Sequence, residues 1–540
     1  MKKIIAITLC MILFISVTGC GAVDVNGTDC LNISMNSSPA TMDGQLATDV
    51  GSARAISLYT STLLAYNKNN ELLPALAESY DVSDDGLTYT FHLKNRLKWS
   101  DGRDLTAKDF VFALRRLADP DTGSGAIFMI ADACTIKNVN RVNSGECSPE
   151  ELGVSAPDDT TFVVDLENPC PYFPSLITAA AFVPCNEDFF KECNGEYATA
   201  SDKILSCGAY SVDRYEPLAV QINYVKNPYY YAPADKLPEE ITLQVIKNTQ
   251  QAVMCYQTGM LDAALISGDL ISWLEGDNDL IAIDYANSQF ITFGNIEKTP
   301  ANNKHIRRAM TMAVDREGIV KNVVRAGAYT LNRINPQNSY LETDGTDFSA
   351  DDHRYDDVCS YDPEAAKKEW EQGLKELGID SVEMEFAFPQ RAQSKCEAIK
   401  QEWEKTLPGL KINLNMLQSK DWVLATTKAV HDILYQGWAA DYIDPTAFFN
   451  LFKTGSHGEG AYSNPAVDEL LEKSNTSEIV GNPDERNKIL HKTEDLLMED
   501  SACIPLYSDQ VCYLVNSEYP YFDLTPTSCG FTIDSLERRD

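Results

Sequence analysis

The residues best suited to acid–base or metal chemistry in this 540-residue chain are six histidines: His92, His305, His353, His431, His457 and His491. Their spacing puts them to neither use. No His-Glu-x-x-His sets two imidazoles on one helical face for zinc. Gly-x-Ser-x-Gly, Gly-x-x-x-x-Gly-Lys-Ser/Thr and Gly-x-Gly-x-x-Gly are also missing, so a nucleophile elbow, a phosphate loop and a dinucleotide turn have no sequence support. Each histidine reads as solvated or structurally hydrogen-bonded. Triads are recognised by geometry and not by order, so a hydrolase stays as the least favoured reading. The expectation is a non-enzyme without cofactor or metal.

Cysteine chemistry points to the N-terminus. Lys2 and Lys3 precede an apolar run from Ile4 to Val17, shorter than the about 20 residues a membrane-spanning helix needs and suited to a signal-peptide core. The run ends in Val17-Thr18-Gly19-Cys20, which resembles the lipobox of bacterial lipoprotein precursors. That resemblance implies cleavage after residue 19, acylation of the Cys20 thiol, and a lipid anchor on the extracytoplasmic face followed by a polar tether over 20–30. Of the 15 cysteines, Cys10 and Cys20 belong to this leader, and an odd number remains. No Cys-x-x-Cys occurs, so zinc ribbons and thioredoxin-like sites lack their spacing. Cys134 with Cys147, and Cys185 with Cys193, are close enough to close small disulfide loops in an oxidising compartment.

Composition narrows the function further. With 44% hydrophobic and 23% charged residues the chain is globular, and its length calls for two or three lobes. Asp and Glu number 80 against 45 Lys and Arg, a net charge of −35. Such a charge repels nucleic acid and anionic lipid.

The elements alternate in type. Leu87, Tyr89, Phe91 and Leu93 alternate with polar residues after the turn Asp84-Asp85-Gly86, predicting a half-buried strand with His92 on its polar side. Thr106 and Asp109 form a capping box for a helix that Asp119-Pro120 ends. Strands are expected at 161–166, 220–225, 241–246 and 511–515. Asp362-Pro363 and Gly378 bracket one helix, and Asn482-Pro483 starts another that runs to about Met498. The acidic stretch Glu342 to Asp357 reads as a mobile, solvated loop, since it lacks the Asp-x-Asp-x-Asp-Gly calcium frame.

Four segments, in order along the chain, resemble the family 5 bacterial solute-binding proteins, the extracytoplasmic receptors of peptide ABC importers. The first runs through 76–120 and holds Leu76-Ala77-Glu78-Ser79-Tyr80, Lys98-Trp99-Ser100-Asp101-Gly102 and Arg115-Arg116-Leu117-Ala118-Asp119-Pro120. The second is Cys207-Gly208-Ala209-Tyr210 with Asn227-Pro228-Tyr229-Tyr230, and the third is Ile306-Arg307-Arg308-Ala309 with Ala313-Val314-Asp315-Arg316. The fourth is Gly437-Trp438-Ala439-Ala440-Asp441-Tyr442-Ile443-Asp444-Pro445, followed by Tyr462-Ser463-Asn464-Pro465 and Ile504-Pro505-Leu506-Tyr507. Most of these stretches read as turns and helix ends that diagnose fold, not site.

The resemblance implies an α/β periplasmic-binding-protein-like fold of two main lobes joined by two crossing segments, with an additional lobe. Crossings fall near 287 and 501 by analogy, giving lobe I as 31–64, 188–287 and 502–540, lobe II as 65–187, and lobe III as 288–501. It implies an oligopeptide ligand, a permease partner, and a monomer. Residue by residue, Asp441 of the Trp-x-x-Asp motif is expected to bind the peptide α-ammonium. Both groups are charged near neutrality. Trp422, Trp438 and Tyr442 are expected to wall side-chain pockets, each being otherwise a core aromatic. The chain departs from the family in one respect: between Trp422 and Gly437 it has Lys428 but no arginine to grip the peptide carboxylate in a fork. A non-peptide solute (a metal chelate, haem, sugar or opine) and a peptide-signal receptor therefore stand as alternatives.

Overall fold

The computed structural model describes residues 29–539 except 219, 269, 295–298, 326, 352, 429–430, 457–461 and 528–529, and omits the side chains of 419, 420, 423, 427 and 428. Cys20, the leader and the Lys428 side chain lie outside this description. Among the described residues no helix is long and apolar enough to cross a membrane.

Two large sheets divide the chain. The seven-stranded sheet has the order Leu280–Asp284, Gln510–Val515, Ala263–Ile266, Cys30–Met35, Glu240–Val245, Gln221–Lys226, Tyr210–Arg214. The six-stranded sheet has the order Tyr329–Thr330, Cys503–Ser508, Asn287–Phe293, Ile433–Ala439, Val382–Pro389, Leu410–Leu417. A four-stranded antiparallel sheet, Ala77–Val82, Thr88–Leu93, Thr161–Asp165 and Val154–Asp158, builds the additional lobe with the helix Ala107–Ala118. Thr88–Leu93 alternates buried and half-exposed residues as its period-2 pattern requires. His92 stands on its polar side, 2.8 Å from Asp81.

Local signals place the helices. The capping box of Thr106 and Asp109 is formed. Asp362 caps Pro363–Leu377, which Gly378 closes in the left-handed region at φ 67°. Asn482 caps Pro483–Glu499. Trp370 and Trp403, fully buried on two helices over the six-stranded sheet, send their indole N–H groups to the carbonyls of Pro408 and Met310. Two of the family-like motifs serve local structure: Trp99 packs a tight turn in which Gly102 N–H bonds the Trp99 carbonyl, and Asp315 caps the short helix Arg316–Ile319.

The chain passes between the large sheets twice, at Tyr285-Ala286 and at Asp509. One side chain ties both passages. The buried Asn287 amide donates to the carbonyls of Tyr285 (3.0 Å) and Asp509 (2.7 Å) and to Ser508 Oγ (3.1 Å), and its oxygen accepts from Asp509 N–H (3.0 Å).

Three expectations need correction. The second crossing is later than 501, because Cys503–Ser508 pairs with Asn287–Phe293 in the six-stranded sheet and only Gln510–Val515 joins the other. The acidic stretch is strapped onto the helix Pro483–Glu499: His491 bonds Glu342 at 2.8 Å, Arg354 grips Asp495 at 2.8 and 2.9 Å, and just upstream the buried Arg333 pairs with Glu494. Sequence reading counted the acids of that segment without the cations that meet them. Cys134, Cys147, Cys185 and Cys193 form no disulfide, and none forms among the twelve described cysteines. Cys134 Sγ turns to the Met129 carbonyl and Cys193 Sγ to that of Lys203, so nearness in sequence did not bring the pairs together.

Candidate functional site

Three neighbouring strands of the six-stranded sheet, Ile433–Ala439, Val382–Pro389 and Leu410–Leu417, run parallel. In open α/β sheets ligands bind in the crevice outside the carboxyl ends of such strands. Each strand here delivers a candidate residue at that end: Asp441 after the first, Arg391 after the second, and Trp422 after the third.

Asp441 lies in a turn held on every side. Ala440 N–H extends the ladder to the Ala286 carbonyl (2.7 Å), and Ile443 N–H bonds Ser175 Oγ of the additional lobe (2.7 Å). Asp444 anchors the far end. Its buried carboxylate takes both arms of Arg486 at 2.6 and 3.0 Å and accepts from Thr446 N–H (3.0 Å) and Oγ1 (2.6 Å). Asp444 therefore holds Thr446, the first residue of the short helix Thr446–Phe449, and Asp441 takes no part in that anchoring.

Among the described residues Asp441 forms no hydrogen bond or ion pair. It is partly buried, and burial alone pushes its carboxyl up to about 7. An acid so placed is ionised at little cost only when a cation arrives.

Trp438 is half-buried against the core, and among the described residues its indole N–H has no partner, nor has the hydroxyl of Ser288 directly opposite in the ladder. Gly437 is small for a reason: a Cβ there would stand 2.6 Å from the Gln289 amide. Trp422 is also half-buried, with its N–H on the Tyr435 carbonyl at 3.0 Å. Tyr442 departs from expectation. It is fully buried and stacks on Tyr172 of the additional lobe with ring centroids 4.1 Å apart, so it fastens lobes together and walls no pocket.

Sequence reading missed two cations. Arg391 lies over the Trp422 ring at 4.5 Å, and Lys395, one helical turn on, is 5.6 Å from the centre of the Tyr507 ring. Neither has an ion pair among the described residues, and burial lowers the Lys395 ammonium. Their signal is legible as two cations spaced i, i+4 directly after a buried strand, but it precedes Trp422, outside the interval where the family resemblance expects the carboxylate grip. Among the described residues no cluster of three His, Cys, Asp or Glu side chains is arranged to hold a metal. A separate cavity of about 250 Å3, lined by Tyr66, Tyr230, Tyr231 and Phe531 among others, shares no residue with this group.

The family assignment follows from the whole chain. Residues 71–460 match the model of the bacterial extracellular solute-binding proteins, family 5, and the chain belongs to that family. It is 29% identical over 521 residues to the dipeptide-binding protein of Lactococcus lactis subsp. cremoris, covering 94% of each chain. Among solved structures it resembles OppA of Listeria monocytogenes bound to peptide, at 28% identity and TM-score 0.78, over 95% of this chain and 100% of that one. The substrate-binding domain of a Bacillus anthracis oligopeptide ABC transporter gives 29% identity and TM-score 0.79, over 95% and 99%.

Proposed function

We propose that this protein is the substrate-binding receptor of a peptide ABC importer, tethered outside the cell membrane through an acylated Cys20 and delivering short peptides to a permease. The observation that carries the reading is Asp441: a partly buried carboxylate with no partner among the described residues, at the carboxyl end of a parallel strand, beside the crossings. A peptide α-ammonium is the cation that completes it. The ammonium remains charged to a pH of roughly 7.7 to 8.0, above the range in which Asp441 titrates.

The other end of the ligand meets Arg391 and Lys395, two unpaired cations at the same edge of the sheet, which supply what the interval after Trp422 lacks. Extended peptide between the two ends is held through its main chain, as an added strand is, so side chains contribute little to selection. The peptide-binding relatives in Lactococcus and Listeria support this reading.

Calorimetry with trialanine and N-acetyl-trialanine tests it. Acetylation is expected to cost about a hundredfold or more in Kd, the loss of a buried charge pair. Equal binding of the two peptides, or of neither, refutes ammonium recognition and favours a non-peptide solute.

A further inference from the structure

One charge at this end of the sheet lies outside the proposed ligand contacts. Asp509 is the second crossing itself. Its backbone N–H and carbonyl are both held by Asn287, while its partly buried carboxylate makes no hydrogen bond or ion pair among the described residues. Tyr507 precedes it by two residues, and in extended chain such residues share a face. Lys395 stands over the Tyr507 ring, and Arg391 lies one helical turn before it. The two cations thus lie near the carboxylate of the crossing, close enough to act on it and with no ion pair to it among the described residues. Burial raises the Asp509 carboxyl, and Lys395 and Arg391 act against that rise.

We propose that Asp509 is a specificity-determining residue of the anion end: set against Arg391 and Lys395, it leaves room for one further negative charge, so the subsite takes ligands ending in a single carboxylate and rejects those that bring two. The inference rests on the proposed reading that these cations meet the ligand's carboxylate. Two cations against one fixed carboxylate leave a net charge of about +1, and a second ligand carboxylate at contact range meets Asp509 as a like charge in a poorly screened site. Neutralising Asp509 removes that repulsion and leaves both cations free.

Calorimetry with three tripeptides (trialanine, trialanine amide and Ala-Ala-Glu) on the wild type, Asp509→Asn and the Arg391→Gln/Lys395→Gln double variant separates the possibilities. The wild type is expected to bind trialanine about tenfold tighter than either other peptide. Asp509→Asn is expected to bring Ala-Ala-Glu to within about threefold of trialanine, with the amide still weak. The double variant is expected to bind trialanine and its amide alike. If amidation costs the wild type nothing, the anion end falls and this inference falls with it. If amidation weakens binding but Asp509→Asn keeps the wild-type preference for trialanine over Ala-Ala-Glu, the role of Asp509 alone is overturned. Asparagine preserves the side chain's shape, and Asp509→Ser carries the same readout if the first variant does not fold.

Discussion

Asp441 and Asp444 share one turn, three residues apart, and face opposite circumstances. Asp444 is buried and accepts from four donors, two on a bidentate Arg486 and two on Thr446. Asp441 is answered by nothing among the described residues, and its carboxyl rises to about 7. The contrast separates architecture from function. A buried acid that the fold needs brings its own counter-charge, while the one proposed for a ligand is left incomplete at a cost in stability.

The largest expected effect falls on Asp441. Asp441→Asn should weaken trialanine binding by about 10² to 10³ while leaving the thermal midpoint equal or higher, because an uncompensated acid has been removed. A variant that binds normally, or that melts early, erases the contrast. Asp444→Ala should do the reverse. It strands the buried Arg486 and should cost about 3 to 5 kcal/mol of stability, read by chemical denaturation, with peptide affinity of the folded fraction altered less than tenfold.

A smaller effect is expected with pH. Between its ordinary value of 3.8 and about 7, Asp441 holds a proton in the folded state that the unfolded chain has lost. Its contribution to the stability of the ligand-free protein therefore falls as pH rises through that window, and Asp441→Asn should flatten this part of the profile. Binding of a peptide ammonium near pH 6 should expel close to one proton, which calorimetry in buffers of different ionisation enthalpy detects; zero release contradicts the pairing. Smallest of all, Tyr442→Phe removes only a hydroxyl that accepts from Asn450 (3.2 Å) and from Thr446 at the long range of 3.5 Å. It should cost about 1 kcal/mol of stability and leave affinity unchanged, whereas a tenfold loss of affinity would return Tyr442 to the ligand.

Much of this is legible in the sequence. The period of Thr88–Leu93, the caps at Thr106, Asp362 and Asn482, and the glycine at 378 are local signals, and local backbone chemistry decides them. Pairings over long range were not legible. Nothing near Cys503 in sequence says that Cys503–Ser508 lies beside Asn287–Phe293, so the crossing was placed too early. The site divides the same way. Asp441 stood out through a family-like motif and remains the focus, but the cations of 391 and 395 join it only because three separate strands end on one edge. Tyr442 was misjudged because its stacking partner, Tyr172, lies in another lobe.

The amide of Asn287 has a mechanical consequence. With both passages between the sheets fastened to a single side chain, a twist at one would drag the other, so any swing of the two halves would turn about one axle. Losing that amide would turn the axle into a loose swivel, and the jaws would then meet out of register around whatever they had caught.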